Sequence, residues 1–146
     1  MPLHIHEASL EEIFRVSNAI PEFRPAYALE EIQTRVSGRA WLGLIACRNG
    51  KPSGFKLGYE TDDCTFYSWL GGVIPAERKS GIARALLHRQ EQWVIARGYQ
   101  AINVKTYSRF GAMVSLLRAE GYETFATNAA STGSESPLHF TKSLPR

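Results

Sequence analysis

The residues best arranged for chemistry lie in VIPAERKSGIARALL, residues 73–87. An apolar strand end runs into a proline, then Arg78, Lys79 and Ser80, and a helix opens through Gly81, Ile82 and Ala83. A helix start carries unpaired N–H groups and a partial positive charge, so it can hold phosphate oxygens. Gly81 lets the backbone turn sharply and approach a ligand, and Ala83 keeps the next turn free of bulk. Arg78, Lys79 and Arg84 add charge at the same point. The chemistry this suits is the grip of a small polyanion, a diphosphate in particular. The common nucleotide loops are not its source: no glycine precedes Lys79 as a Walker A loop requires, and no G-x-G-x-x-G occurs.

The elements that must position this loop follow from periodicity and turn chemistry. LHIHEA (3–8) alternates like a short strand. Ser9 and Glu12 form a capping-box pattern at the head of a helix over 9–20, with Leu10, Ile13, Phe14 and Ser17 on one face. PEFRP breaks that helix, and 27–38 reads as a second one ending near Gly38. A hairpin follows, its two apolar strands flanking the loop NGKPSG. After the tight TDD connection comes a long aromatic-rich strand, CTFYSWLGGVI (64–74). The helix after the basic loop covers roughly 81–97, with Ile82, Leu86, Trp93 and Ala96 to one side and Gly98 as its stop. A strand at 101–107 precedes an amphipathic helix carrying Phe110, Met113, Val114 and Leu117, closed by Gly121. YETFATNAA and SPLHFTKSL read as two last strands joined by STGSES. The order β-α-α-β-β-β-α-β-α-β-β is mixed α/β, in one domain over 1–146.

Composition bounds the function. At 146 residues, 44% hydrophobic and 21% charged, the chain has the balance of a folded globular domain with one substantial core. No apolar run approaches the roughly 20 residues needed to cross a bilayer, so no membrane partner is expected. The first residues lack the basic-then-apolar layout of a secretory signal, so a cytoplasmic location is expected. The net charge of +3 comes from basic residues scattered along the chain without a block of like charge, and nucleic acid is not an expected partner. Cys47 and Cys64 lie in strand-like apolar segments and read as buried reduced thiols, with a disulfide left open. His4 and His6 share a strand face but lack a third ligand at recognisable spacing; with His88 and His139 they give no reason to expect a metal.

VIPAERKSGIA, with Arg78, Gly81 and Ala83 at the key places, resembles the pyrophosphate-binding motif of the GNAT superfamily of N-acetyltransferases. The flanking strand, the helix and the late RAEGY segment extend the likeness over nearly the whole chain. The resemblance implies a central, mostly antiparallel mixed sheet flanked by helices, and acetyl-CoA as co-substrate. Backbone N–H groups from Arg78 through Lys79, Ser80, Gly81, Ile82 and Ala83 would then grip the pyrophosphate, with Arg84 adding charge beside them. The pantothenate arm would run beside Gly71, Gly72, Val73 and Ile74, pairing like an added strand. The glycines suit close approach, although a β-bulge without a ligand is the other reading of GG. The Val73 N–H would stabilise the oxyanion. An asparagine that contacts the pantetheine arm in relatives is replaced here by Ser108.

The implied activity is transfer of an acetyl group to a primary amine by direct attack in a ternary complex. The acceptor would be a small molecule or a peptide, and a homodimer is left open. The alternative is a non-catalytic acyl-CoA-binding or sensor module, because the usual acid and base places hold other residues. Some relatives carry a glutamate six residues before Val73, where this chain has Tyr67, a phenol too weakly basic at neutral pH. Glu60 is the nearest replacement base, or else a solvated residue before the TDD turn; Asp62 and Asp63 read as turn residues. Many relatives place a tyrosine on the last helix where Leu117 stands, which leaves Tyr107 as a candidate acid or a packing residue. Glu22 and Phe23, between the first two helices, are the candidate acceptor contacts, with Glu22 able to hold an ammonium.

Overall fold

The computed structural model describes residues 3–23, 27–125 and 137–145. In chain order these form β1 (Leu3–Glu7), α1 (Leu10–Asn18), a single 3-10 turn (Pro21–Phe23), α2 (Leu29–Val36), β2 (Trp41–Arg48), β3 (Lys51–Asp62) and β4 (Thr65–Val73). A second 3-10 turn (Pro75–Glu77), α3 (Ile82–Ala96), β5 (Ala101–Tyr107), α4 (Gly111–Ala119), β6 (Glu123–Thr124) and β7 (Pro137–Ser143) complete it. The order is the one expected from the residues, mixed α/β. The strands make one seven-stranded sheet, β1-β2-β3-β4-β5-β7-β6. Every described pairing is antiparallel except β4 with β5.

Period-two alternation sends successive strand residues to opposite faces, and each face is covered. On one, Phe55, Leu57 and Leu70 pack with Ile13, Val16 and Ile20 of the α1 region and Ile32 of α2. On the other, Leu42, Leu44, Phe66, Ile102, Val104 and Phe140 pack with Leu86, Leu87 and Val94 of α3 and Leu117 of α4. Burial of such side chains, about 1.5–3 kcal/mol each, fixes the faces and hence the register. Ser9 caps α1 as expected, its Oγ accepting the Glu12 N–H at 3.2 Å while Glu12 Oε1 accepts the Ser9 N–H at 3.1 Å.

Several elements differ from the sequence expectation. The β2–β3 hairpin turns on Asn49 and Gly50 alone, at φ 56° and 76°, the double left-handed turn that matches strand twist. Lys51, Pro52 and Ser53 therefore belong to β3, and the proline is accommodated by an irregularity opposite Ala46 and Cys47. The inward side of α3 is Ile82, Leu86, Leu87, Gln90, Glu91 and Val94, rotated from the expected one, so Ala96 is exposed and two polar residues go inside. On α1 Val16 is buried and Phe14 only half-buried. Of YETFATNAA, Glu123–Thr124 is strand; residues 126–130 and the STGSES connection lie outside the described residues, as do Arg24 and Pro25 of PEFRP. Among the described residues neither cysteine is in a disulfide, both are half-buried, and burial pushes the Cys47 thiol upward.

Candidate active site

The site begins with one extra residue in β4. Leu57 faces Leu70 and Gly58 faces Ser68, so Trp69 is left over. A bulge bends its strand and strengthens the local twist. It coincides with the end of the β4–β5 ladder, which runs only from Thr65 with Ala101 to Ser68 with Val104. Beyond it, β4 stays with β3 and β5 with β7, and the two parallel strands part. The bulge is thus at Trp69 rather than at Gly71 and Gly72.

Among the described residues, the edge of β4 in this fork carries main-chain N–H groups not used by the sheet. Ile74 N–H donates to Ser53 O at 2.8 Å across the β3 side. Alternation along an extended strand then turns the N–H and C=O of Val73 and Gly71 away from β3, toward the gap. The Val73 side chain itself is buried. Gly72 has a separate reason to lack a side chain, because a Cβ there would stand 3.0 Å from Phe23 and 3.1 Å from Ile20. Phe23, edge-on to Phe55 at 5.4 Å between ring centroids, thereby closes over the strand from the α1 side.

The basic loop lies at the mouth of the fork. Gly81 is the N-cap of α3 at φ 85° and ψ 5°, and no side chain caps the helix. The first turn of α3 holds no acidic residue, so its N–H groups and partial positive charge are not countered locally. Lys79 is also left-handed, at φ 65°. A Cβ on Gly81 would meet nothing within 4 Å, so the turn is open rather than filled. Ser80 Oγ donates to Glu77 O and steadies the loop from below. Lys79, Ser80 and Arg84 are exposed, Ala83 half-buried, and Ile82 buried beneath the turn. The donor set, main-chain N–H groups of a helix start with no acidic residue in its first turn and Lys79 beside it, fits a diphosphate, although Arg84 is shared with Glu120.

Arg78 points elsewhere than its charge alone suggested. Its Nε donates to Val73 O at 3.0 Å and a terminal nitrogen donates to Glu22 Oε1 at 2.7 Å. The guanidinium beside it holds the Glu22 carboxyl below the usual carboxylate range. Through Arg78, Glu22 is tied to the end of β4, where it is already paired with a cation. Arg84 and His88 both bond Glu120, tying α3 to α4.

The fork does not gather all the expected acid–base residues. Glu60 faces Phe66, before the ladder ends. Its Oε1 accepts the Tyr99 hydroxyl at 2.8 Å and its Oε2 the Ala40 N–H at 3.4 Å. It ties Tyr99 to the Ala40 backbone below the closed end of the fork, outside the fork itself. Tyr67 precedes the fork by one residue on the α1–α2 face, with Tyr59 edge-on at 5.6 Å. Burial pushes its phenol up to about 12, so it stays protonated near neutral pH. Tyr107 ends the β5 arm, with Phe110 at 6.3 Å and the Arg109 guanidinium 5.1 Å from its ring centroid. Ser108 follows it, exposed, at the head of α4.

Three features were not legible from the residues. On the α1–α2 side a cavity of about 360 Å³ is lined by Tyr27, Glu30, Glu31, Thr34, Arg35 and Trp69. Arg35 lies 4.6 Å from the Trp69 ring centroid and donates to the Tyr59 hydroxyl at 3.2 Å. A broader hollow of about 620 Å³ sits at Glu7, Trp93, Ala96 and Arg97, at the far end of α3 from the fork. On the α3 side, Lys56, Ser68 and Gln90 are buried where the fork opens. An alternating strand with a lysine on its inward face gives only a faint sequence signal, overridden here by the glycine-rich neighbours.

Residues 7–122 match the model of the acetyltransferase (GNAT) family. No curated protein matches the chain in sequence. Solved structures share its fold: Ard1 from Thermoplasma volcanium superposes with TM-score 0.81 at 14% identity, covering 100% of both chains. The ribosomal-protein-S18-alanine N-acetyltransferase of Escherichia coli gives 0.77 at 17% identity, over 99% of this chain and 94% of that one. The PaiA N-acetyltransferase of Thermoplasma acidophilum, solved with coenzyme A, gives 0.75 at 14% identity, over 98% of this chain and 99% of that one. With the forked sheet and the open basic turn in place, the family match settles the affiliation: the chain belongs to the GNAT acetyltransferase family.

Proposed function

We propose that the protein transfers an acetyl group from acetyl-CoA to a primary amine by direct attack, with both substrates bound together. The observation that carries this is the fork: an unpaired β4 edge presenting the N–H groups of Gly71 and Val73, beside an uncapped helix start. In this reading the turn from Lys79 to Ala83 binds the diphosphate through main-chain N–H groups, with Lys79 and Arg84 as surrounding charge. Arg78 acts indirectly by fixing the loop to Val73 O. The pantetheine arm lies along Gly71–Ile74, and the free N–H of Val73 or Gly71 receives the charge that develops on the thioester oxygen. Removing one such donor typically costs about 10²–10³-fold in rate. Ser108, at the β5 arm, borders the same arm of the substrate.

The acceptor enters from the α1–α2 face, past Glu22, Phe23 and the aromatic cavity. Its amine attacks the carbonyl carbon, the tetrahedral intermediate collapses, and the C–S bond breaks. Tyr67 is held protonated and does not serve as base; with Glu60 bound by Tyr99 and Ala40, the amine loses its proton to water. Tyr107 remains on the β5 arm as a wall of the site. The acceptor class favoured is a small amine or a peptide amino group that reaches past these aromatic rings.

Two measurements test the proposal. Acetyl-CoA at about 100 times its Kd adds about 2.7 kcal/mol, which raises the melting temperature of a domain this size by about 5–10 °C. A panel of amines with acetyl-CoA then releases free thiol in proportion to acylated product. Protection without turnover for any amine favours the acyl-CoA sensor, and no protection at all refutes both readings.

A further inference from the structure

We propose that Lys56, on the α3 side of the fork, is the proton donor to the departing thiolate, a catalytic residue of the reaction above; this rests on the acyl-transfer reading. Lys56 is 6% exposed on the inner face of β3. Gly71 faces it directly as one of the closer, non-hydrogen-bonded pairs of the ladder. Its Nζ lies 3.2 Å from where a Cβ on Gly71 would stand. The ammonium thus rests against the very segment whose main-chain N–H groups face the gap, where a side chain at 71 would crowd it.

Burying an ammonium costs several kcal/mol unless partners compensate. Among the described residues Lys56 makes no hydrogen bond or ion pair. The Ser68 Oγ and both amide atoms of Gln90 are also buried without a protein partner. Gln90 is completely buried, and its Nε2 lies 3.0 Å from the Cβ position of Gly58, which faces Ser68. Unpartnered buried polar groups of β4 and α3 therefore lie beside the β3 segment that carries Lys56, where β4 leaves β5. Buried polar atoms are nearly always satisfied, and a cluster of exceptions points to a functional site.

The groups around Lys56 keep it charged without bonding it. Glu91 of α3 is the charged group that acts on it. The Glu91 oxygens are taken by the Tyr122 hydroxyl at 2.6 Å and by Lys142 of β7 at 3.2 Å and 3.3 Å. Burial lowers Lys56 to about 8, near the ordinary thiol value of about 8.5. A donor matched in this way to the leaving group is the efficient one. The place on α4 that could otherwise supply a hydroxyl is Leu117, wholly buried in the core. In the step itself, the amine nitrogen bonds the carbonyl carbon, and the sulfur departs with the C–S electron pair. The sulfur takes one proton from the Lys56 ammonium, and water returns a proton to the neutral amine. The acceptor's own proton leaves to solvent, so amine and thioester give amide and thiol.

The test is Lys56→Met, which keeps the volume and removes the charge. Expected are unchanged protection by acetyl-CoA, a fall in kcat of about 10² or more, and loss of the alkaline limb of the kcat–pH profile near 8. An active wild type alongside a variant with kcat within threefold, or with the limb intact, overturns this proposal alone. A wild type that releases no thiol with any amine overturns the acyl-transfer reading with it. Should the variant not fold, the wild-type profile decides: an alkaline limb near 8 that stays put when the acceptor amine is changed supports Lys56, and its absence overturns it.

Discussion

Gly81→Val separates the backbone of the basic loop from its charge. Gly81 sits at φ 85° with nothing within 4 Å of a Cβ, so the substitution brings no collision and acts through conformation alone. A left-handed L-residue costs about 1–2 kcal/mol, and β-branched valine lies at the upper end. That corresponds to a melting temperature about 3–8 °C lower. The greater effect falls on the ligand. Relaxing φ to a negative value re-aims the N–H groups of Ile82 and Ala83, which in the proposed complex meet phosphate oxygens. Losing two charge-assisted bonds at about 1.5–3 kcal/mol each raises the Kd for coenzyme A by about 10²–10⁴-fold. Thermal melts followed by circular dichroism, and calorimetric titration with coenzyme A, measure the two effects separately. Gly81→Ala, less opposed to the left-handed region, is expected to fall between wild type and the valine variant. A folded valine variant with Kd within threefold of wild type would place the diphosphate elsewhere and refute the reasoning.

Gly58→Ala brings a Cβ to 2.5 Å from the Phe66 ring and 2.7 Å from Tyr67 O; overpacking of this kind costs about 1–3 kcal/mol, and an unchanged urea midpoint would contradict the β3–β4 register. Tyr67→Phe is expected to lower kcat less than tenfold, since the phenol titrates only at about 12, whereas a hundredfold loss would restore it as a catalytic group. Acid stability follows Glu22 and Glu120, both held below the usual carboxylate value of 4.5, chiefly by hydrogen bonds from Arg78 and His88. Because each titrates lower in the native protein than in the unfolded chain, their contribution is whole above about pH 4.5 and is lost as pH falls through the native values. The Glu22 pair is about 40% exposed, so Glu22→Gln should remove under about 1 kcal/mol of it, and melting temperatures at pH 3 and pH 7 give the check.

Local signals carried most of the fold. Ser9 with Glu12, the glycines that close helices, and the apolar repeat at 3.6 or 2 residues each act within a few positions of themselves, so they survive reading without a partner in view. The helix-entry turn at Arg78–Ala83 was legible for the same reason: left-handed freedom and an uncapped helix start are properties of neighbouring residues. What stayed hidden depends on pairing across the sheet. Glu60 looked free because its partners, Tyr99 and Ala40, lie far along the chain. The Arg78–Glu22 pair was hidden because Glu22 comes from another element. The aromatic cavity requires α2 to lie over β4, and Lys56 lies inside, packed over Gly71 across the sheet. NGKPSG misled in the other direction: six turn-prone residues suggested a long loop, whereas Asn49 and Gly50 alone satisfy the hairpin and strand pairing claims the rest.

The fork is where these non-local terms meet, and one residue opens it. Had β4 matched β3 without Trp69 left over, the same strand twist would let β4 and β5 stay paired to their ends, and the N–H groups of Gly71 and Val73 would be spent on β5. The bulge frees them, and their freedom is costly unless something else bonds there, since an exposed strand edge pairs readily with whatever extended chain it meets. The neighbourhood restricts what that can be. Phe23 shuts the strand from one face and Lys56 fills the other over the glycines, so a bulky peptide strand has no room for alternate side chains. In the proposed complex a thin, side-chain-free chain with two amides and a charged end at the Gly81 turn takes that place. The glycines at 71 and 72 are therefore not simply clearance for a ligand; each admits a protein side chain that shapes the channel, and replacing either alters the wall before it obstructs the path.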